Sequence, residues 1–204
     1  MIKKCRSLMD EQQDDFISDT EIVNAINDKQ HDIIKERLWT FNETEYSDSS
    51  VAKQFDYDVP TNIKTLYSVR FRTQPVRRIT QAQWELGYWN TNTSSSVPTA
   101  VSQWNNKVRF YPRPSGSAVT TTLTGAHSAA VTTITVAATS GFLIGDYYRF
   151  IIDSEVIYAT AATSTTFTGC LRGQEGTTAA THAGGATVTE RDIVFTGQKK
   201  AVDL

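Results

Sequence analysis

The sequence predicts an α+β protein: N-terminal helices pack with a small antiparallel sheet, and an all-β module is inserted into the later half of the chain. Three observations predict it. Apolar residues recur at helical spacing near the N-terminus, a period of two takes over past residue 44, and composition changes sharply at Ser117. From 117 to 189 the chain is dominated by Thr, Ala, Gly, Ser and Val, and Lys and Arg become scarce. Residues 1–116, in contrast, are rich in both charge signs. The expected division is a body over 1–116, completed by 190–204, and an inserted β module over 117–189.

The first elements are helical. Ile2, Cys5, Leu8 and Met9 share a spacing that suits a short helix. Ser18 and Glu21 form a capping box, opening a helix expected over 18–39 and about 33 Å long. Its apolar face carries Val23, Ile26, Ile33, Ile34 and Leu38, and Trp39 and Phe41 close it. The period then changes. Phe55, Tyr57 and Val59 alternate with Asp56 and Asp58 in a strand that Pro60 stops. Ile63 to Arg72 is a second strand, in which Arg70 and Arg72 are expected on one face and Val69 and Phe71 on the other. Thr80 and Gln83 form another capping box, with Ile79 and Trp84 as its hydrophobic staple, so a short helix is expected over 81–88. A polar loop follows over 91–99, and then a strand from Val108 to Pro112.

Inside the module, Val131 to Val136, Tyr147 to Ile152, Val156 to Tyr158 and Thr165 to Thr168 are β-prone. Turns fall at Asp153-Ser154 and Gly184-Gly185. Asp192 to Phe195 is expected to return as a strand to the first domain.

Composition excludes several functions. The chain has 204 residues, enough for a core without metals or disulfides. Its net charge of −2 and its 21% of charged residues mark no general nucleic-acid or membrane binder. Cys5 and Cys170 are too few for a disulfide framework and suit a reducing compartment. The N-terminus has no secretory apolar stretch and no run is long enough to span a bilayer, so a soluble cytoplasmic product is expected.

Chemistry is not expected either. No GxSxG, Walker or HExxH motif occurs, and Cys170 has no His or Asp at a recognisable spacing. His31, His127 and His182 are scattered and read as surface residues, while Asp153 and Glu155 read as turn residues. No enzyme activity, metal or cofactor is expected.

The order of three segments carries a resemblance. These are Glu21 to Gln30 running on to Trp39, then Phe55-Asp56-Tyr57-Asp58-Val59-Pro60 followed by Val69-Arg70-Phe71, and then Val108 to Pro114. Together they resemble the head-to-tail adaptor (connector or neck) proteins of tailed bacteriophages. Within the later half, Ile152-Asp153-Ser154-Glu155-Val156-Ile157-Tyr158 and Thr168-Gly169-Cys170-Leu171-Arg172-Gly173 lead on through Gly176-Thr177 to His182. That passage is similar to a small β module inserted in many phage structural proteins.

The resemblance implies a virion structural protein in the neck region, assembled in the host cytoplasm. It implies a twelve-fold ring of neighbouring subunits docked under the portal protein, meeting tail or nozzle proteins and tail fibres. Double-stranded DNA would pass through its channel without sequence-specific binding, and no membrane is involved.

Several residues become interface candidates in that frame. Arg70, Arg72, Arg77, Arg78 and Arg109 would pair with acidic residues of the portal or lie near the DNA path; the alternative is a solvated strand face balanced by Asp56 and Asp58. Trp89 and Trp104 flank a loop and are subunit-interface candidates. Lys199 and Lys200 begin a C-terminal arm along the portal. A second reading makes the chain another collar protein or a tail-fibre anchor whose β module binds a partner or a host glycan. Tyr147, Tyr148 and Tyr158 would then offer stacking faces, as against forming the module's core.

Overall fold

A computed structural model describes residues 2–8, 17–36, 39–88 and 95–201. It corrects the expected fold class: among the described residues 42% are in strands and 19% in helices, so the protein is mostly β and not an α+β fold built on N-terminal helices. The sheet of the body is also large, a curled half-barrel of seven strands.

That sheet contains β1 (Glu43–Asp48), β2 (Asp56–Asp58), β3 (Ile63–Phe71), β4 (Gln74–Ile79), β6 (Ala100–Trp104), β7 (Lys107–Tyr111) and β17 (Ile193–Lys199), in the order β1-β17-β3-β4-β6-β7-β2. All pairs are antiparallel except β4 with β6. A parallel pair needs a crossover, and α3 (Gln81–Gly87) lies in the connection between these two strands. The capping box is formed as the sequence predicts: the Gln83 amide donates to the Thr80 hydroxyl and the Thr80 amide to the Gln83 side chain. Trp84 is fully buried against Ile79 and Ala100. The main core fills the curl of the sheet with Val69, Phe71, Val108, Phe110, Ile193 and Phe195.

The last strand is an interior one. β17 lies between β1 and β3, so the sheet is continuous only with this strand in place. Gly197 allows that fit, because a Cβ there would collide with the Thr65 carbonyl and stand 2.8 Å from Ile63 Cγ2.

A second core occupies residues 120–190. Its five-stranded sheet orders β15 (Leu171–Gln174), β12 (Glu155–Ala159), β11 (Tyr148–Ile152), β16 (Thr187–Glu190) and β9 (Thr120–Thr122). A three-stranded sheet adds β10 (Thr133–Thr135), β14 (Thr166–Thr168) and β13 (Ala161–Ala162). Between them Ile134, Phe150, Ile157, Phe167 and Val188 are fully buried. Asp153 takes a left-handed conformation (φ 52°) in the β11–β12 turn. The two ends of this unit are side by side, the Glu190 amide donating to the Val119 carbonyl at 2.8 Å. A small parallel pair, β5 (Ser95–Ser96) with β8 (Arg113–Pro114), completes the strands.

The N-terminal helices are peripheral. α1 (Ile2–Leu8) and α2 (Asp19–Glu36) pack on each other, tied by Arg6 Nη2 to Asp19 Oδ1 at 2.7 Å. The α2 capping box is formed: the Ser18 amide donates to the Glu21 carboxylate at 2.8 Å and the Glu21 amide to the Ser18 hydroxyl at 3.2 Å. Trp39 donates its indole N–H to the Ile33 carbonyl at 2.6 Å. The expectation that α2 lies on the sheet fails. Ile22 and Ile34 are buried, but Ile33 is 46% exposed, because the apolar face borders an open groove in place of a sheet. Leu38 and Met9 lie outside the described residues.

Candidate functional site

Three places concentrate side chains beyond what packing requires. The first is the junction between the two cores. Period-two alternation brings Glu45 and Ser47 of β1 to one face, toward Arg70 of β3. Arg149 of β11 reaches across and meets Glu45 Oε2 at 2.5 Å, and its guanidinium lies 4.6 Å from the Tyr158 ring centroid. The Tyr158 hydroxyl donates to Glu175 Oε1 at 2.7 Å, and Glu175 also accepts from the Ser47 amide at 2.9 Å. Burial, followed by the nearby Glu175 carboxylate, pushes the Tyr158 hydroxyl pKa up, so it stays a donor. Arg70 joins Glu45 at 2.8 Å to Asp146 at 3.3 Å. Charge-assisted bonds of this kind fix orientation. This junction holds the seven-stranded sheet and the second unit in one relation.

The second place is a buried network. Glu155 is completely buried and receives both arms of the Arg172 guanidinium at 2.7 Å, the amides of Gly173 and Ala180 at 2.9 Å, and His182 Nε2 at 2.8 Å. Burial alone would raise the Glu155 pKa; the Arg172 bonds, with the two amides and His182, outweigh it and hold it at about 2. The other imidazole nitrogen meets Asp153 at 2.7 Å. His182 is 1% exposed, which corrects its reading as a surface residue; Glu155 likewise is more than a turn residue. The signal lay in the module pattern itself, which contains Glu155, Arg172 and His182 far apart in sequence. Gly173 (φ 59°) belongs to the same construction, since a Cβ there would lie 2.9 Å from the Ala179 amide nitrogen.

The third place is the groove beside α2, about 820 Å³ in volume. Ile22, Ala25, Ile26 and Ile33 form one wall; Phe41 and the chain end from Lys199 to Ala201 form the other. Phe41 is 72% exposed. An apolar concavity of this size is the feature of the described surface best suited to receive a partner.

The arginine candidates do not form one patch. Arg70 sits at the junction between the cores. Arg72 is not on the strand face: it occupies the β3–β4 turn at φ 55°, its amide donating to the Asp192 carbonyl. Arg77 is exposed on β4 beside the Tyr88 hydroxyl, and Arg78 donates to the Leu66 and Tyr67 carbonyls and to Gln103. Arg109 pairs with Asp56 at 3.1 Å across β2 and β7, as Lys107 does with Asp58 at 3.6 Å.

The remaining candidates are equally dispersed. Trp104 is 54% exposed at the end of β6, and Trp89 lies outside the described residues. Tyr147 stacks on Tyr158 at 5.6 Å, and Tyr148 packs on Phe167 at the same separation. Lys199 and Lys200 stand on the rim of the groove, exposed. The groove itself was not read from the sequence, although the exposed half of the α2 stripe and Phe41 are its raw material.

Among the described residues no group of His, Cys, Asp and Glu is placed to hold a metal ion, and no helix is long and apolar enough to cross a membrane. No curated protein matches the chain. The sequence profile of the SU10 adaptor protein matches residues 1–184, which include most of each core and all strands but the last two. With so much of the chain matched, this protein belongs to the SU10 adaptor protein family, phage structural proteins that join other virion components.

Proposed function

We propose that the chain is a head-to-tail adaptor: copies form a ring under the portal and link the capsid vertex to the tail, leaving a channel for DNA. The observation that carries this reading is the family match over residues 1–184. The open groove beside α2 and the exposed Leu86 (90%) and Trp104 (54%) support it, as apolar surface of the kind that assembly covers. The ring's partners are the portal, neighbouring adaptor copies and tail or nozzle proteins, in the neck of a virion assembled in the host cytoplasm. Residues 117–189 form an inserted unit that projects from the ring toward the collar or fibres.

The charge pattern suits a channel through which DNA slides. Arg70, Arg78 and Arg109 are engaged within the fold and the net charge is −2, so firm phosphate contacts are few. The glycan-binding reading of the module gains nothing from the geometry, because Tyr158 spends one face on Arg149 and packs against Tyr147 as well.

The test is to mix the protein with the portal protein of the same phage and image the mixture by electron microscopy. Added ring density under the portal, with the portal's symmetry, is the expected result. No binding, with the protein found on collar or fibres of intact virions, would overturn the reading.

A further inference from the structure

The groove beside α2 has a second property, its charge. Lys29, Lys199 and Lys200 stand on its rim, and Lys35 and Lys64 line a hollow that continues from it past Ile34. The one carboxylate among the described residues lining either hollow is Glu21, whose oxygen is held by the Ser18 amide and hydroxyl. Lys29 also reaches Asp32 at 3.3 Å. Among the described residues no carboxylate pairs with Lys199 or Lys200, and Lys64 makes only a long contact with the Ile34 carbonyl at 3.4 Å. The chain as a whole is slightly acidic, so this basic rim is a local feature.

We infer that the groove receives an amphipathic helical segment of another virion protein, with an apolar face and acidic flanks. This deepens the adaptor reading, on which it rests only for the source of the partner. The dimensions fit: from Glu21 to Ile34 the helical wall runs for about 20 Å, the length of three to four turns of a partner helix. Apolar side chains of the partner would cover Ala25, Ile26 and Ile33, and its carboxylates would meet the lysines on both rims.

The same features disfavour other occupants. A second copy docked by a two-fold axis would bring a second set of rim lysines into the same interface, with Glu21 again the one lining carboxylate among the described residues. A bilayer is flat, whereas the isoleucines form one wall of a hollow whose other wall is Phe41 and the residues from Lys199 to Ala201.

The experiment uses the full chain and two fluorescein-labelled synthetic helical peptides of 18 residues or so. They share one leucine spacing and differ only in flanking Glu or flanking Lys. The Glu-flanked peptide should bind saturably, about tenfold or more tighter than the Lys-flanked one, and more weakly as salt rises. Ile26→Asp should abolish binding, and the triple variant Lys29→Glu, Lys199→Glu, Lys200→Glu should reverse the preference. Circular dichroism melting of each variant establishes that it is folded, and the charge reversal keeps the test sound if Ile26→Asp is not.

Equal binding of the two peptides, or a preference the triple variant leaves unchanged, overturns the inference. So does partition of the chain onto phosphatidylglycerol vesicles in preference to the peptide. An oligomer that sedimentation shows to dissociate on Ile26→Asp, in the absence of peptide, would make a second copy the occupant and overturn it too. Portal binding separates the two claims: a ring without peptide binding sinks the groove assignment alone, and peptide binding without a ring sinks the adaptor reading alone.

Discussion

Glu155 shows how one residue organises the second core. It has no exposure, yet the bonds to its carboxylate come from residues 17 or more positions along the chain. Replacing the carboxylate by an amide removes the charge that faces Arg172 and His182 and turns one of its two acceptor oxygens into a donor among donors. Glu155→Gln is therefore expected to destabilise the protein by about 3–5 kcal/mol, read as a lowered denaturant midpoint. The pH dependence has a definite sign. The folded carboxyl titrates at about 2 and the unfolded one near its ordinary value of about 4.3, so its contribution is complete above that value and is lost as pH falls toward 2. Equilibrium unfolding measured from pH 6 to pH 2 should show this loss in the native chain, and a flatter curve in Glu155→Gln. An unchanged acid limb would mean that other carboxylates carry the acid sensitivity.

At the scale of the element, local chemistry and long-range fit can be probed separately. α3 is set by its capping box, so Thr80→Ala should cost about 1 kcal/mol without changing the rest of the fold. A loss much above 2 kcal/mol would mean that Thr80 does more than cap. β17 is set by what surrounds it. Gly197→Ala places a methyl against the Thr65 carbonyl and Ile63, and should cost roughly 1–3 kcal/mol, with the denaturant slope unchanged. If Gly197→Ala is neutral, the β3–β17 contact is looser than the structure shows. The two capping boxes, the β3 strand and the β11–β12 hairpin were legible because caps, alternation and turn residues act over a few positions. α2 was legible as a helix, but what its face meets was not, since a stripe of isoleucines looks the same toward a sheet and toward a groove. Arg72 illustrates the same limit: alternation places it on a strand face, but the chain turns at that residue.

For the whole molecule, the inserted unit is a proposal with a direct test. Its ends meet at Val119 and Glu190, it has its own core, and β17 then enters the first sheet. Joining Ser117 to Asp192 through a short Gly-Ser linker is expected to leave a folded seven-stranded sheet, and residues 118–190 alone are expected to fold. Cooperative melting of both pieces checks this. Each piece should be less stable than it is within the full chain, since both lose the Arg149–Glu45 and Glu175–Ser47 bonds at the junction. Failure of either piece to melt cooperatively would mean that the two cores fold as one unit.

By itself the sequence determined the places of the two capping boxes, of several strands and of the Asp153-Ser154 turn, the change of character at Ser117, and the resemblance to phage adaptors. These depend on patterns within short windows and on the order of segments. β1, where Glu43 to Ser50 reads as a polar loop, was not among them. Tertiary structure alone decided that the protein is mostly β, that the last strand lies inside the sheet, and that Glu155, Arg172 and His182 converge. It also decided that α2 leaves a basic-rimmed groove open. The physical reason is that sheets and buried ion pairs join residues far apart in the chain, and the exposure of a face depends on which partner surface reaches it. Neither is a property of any local stretch.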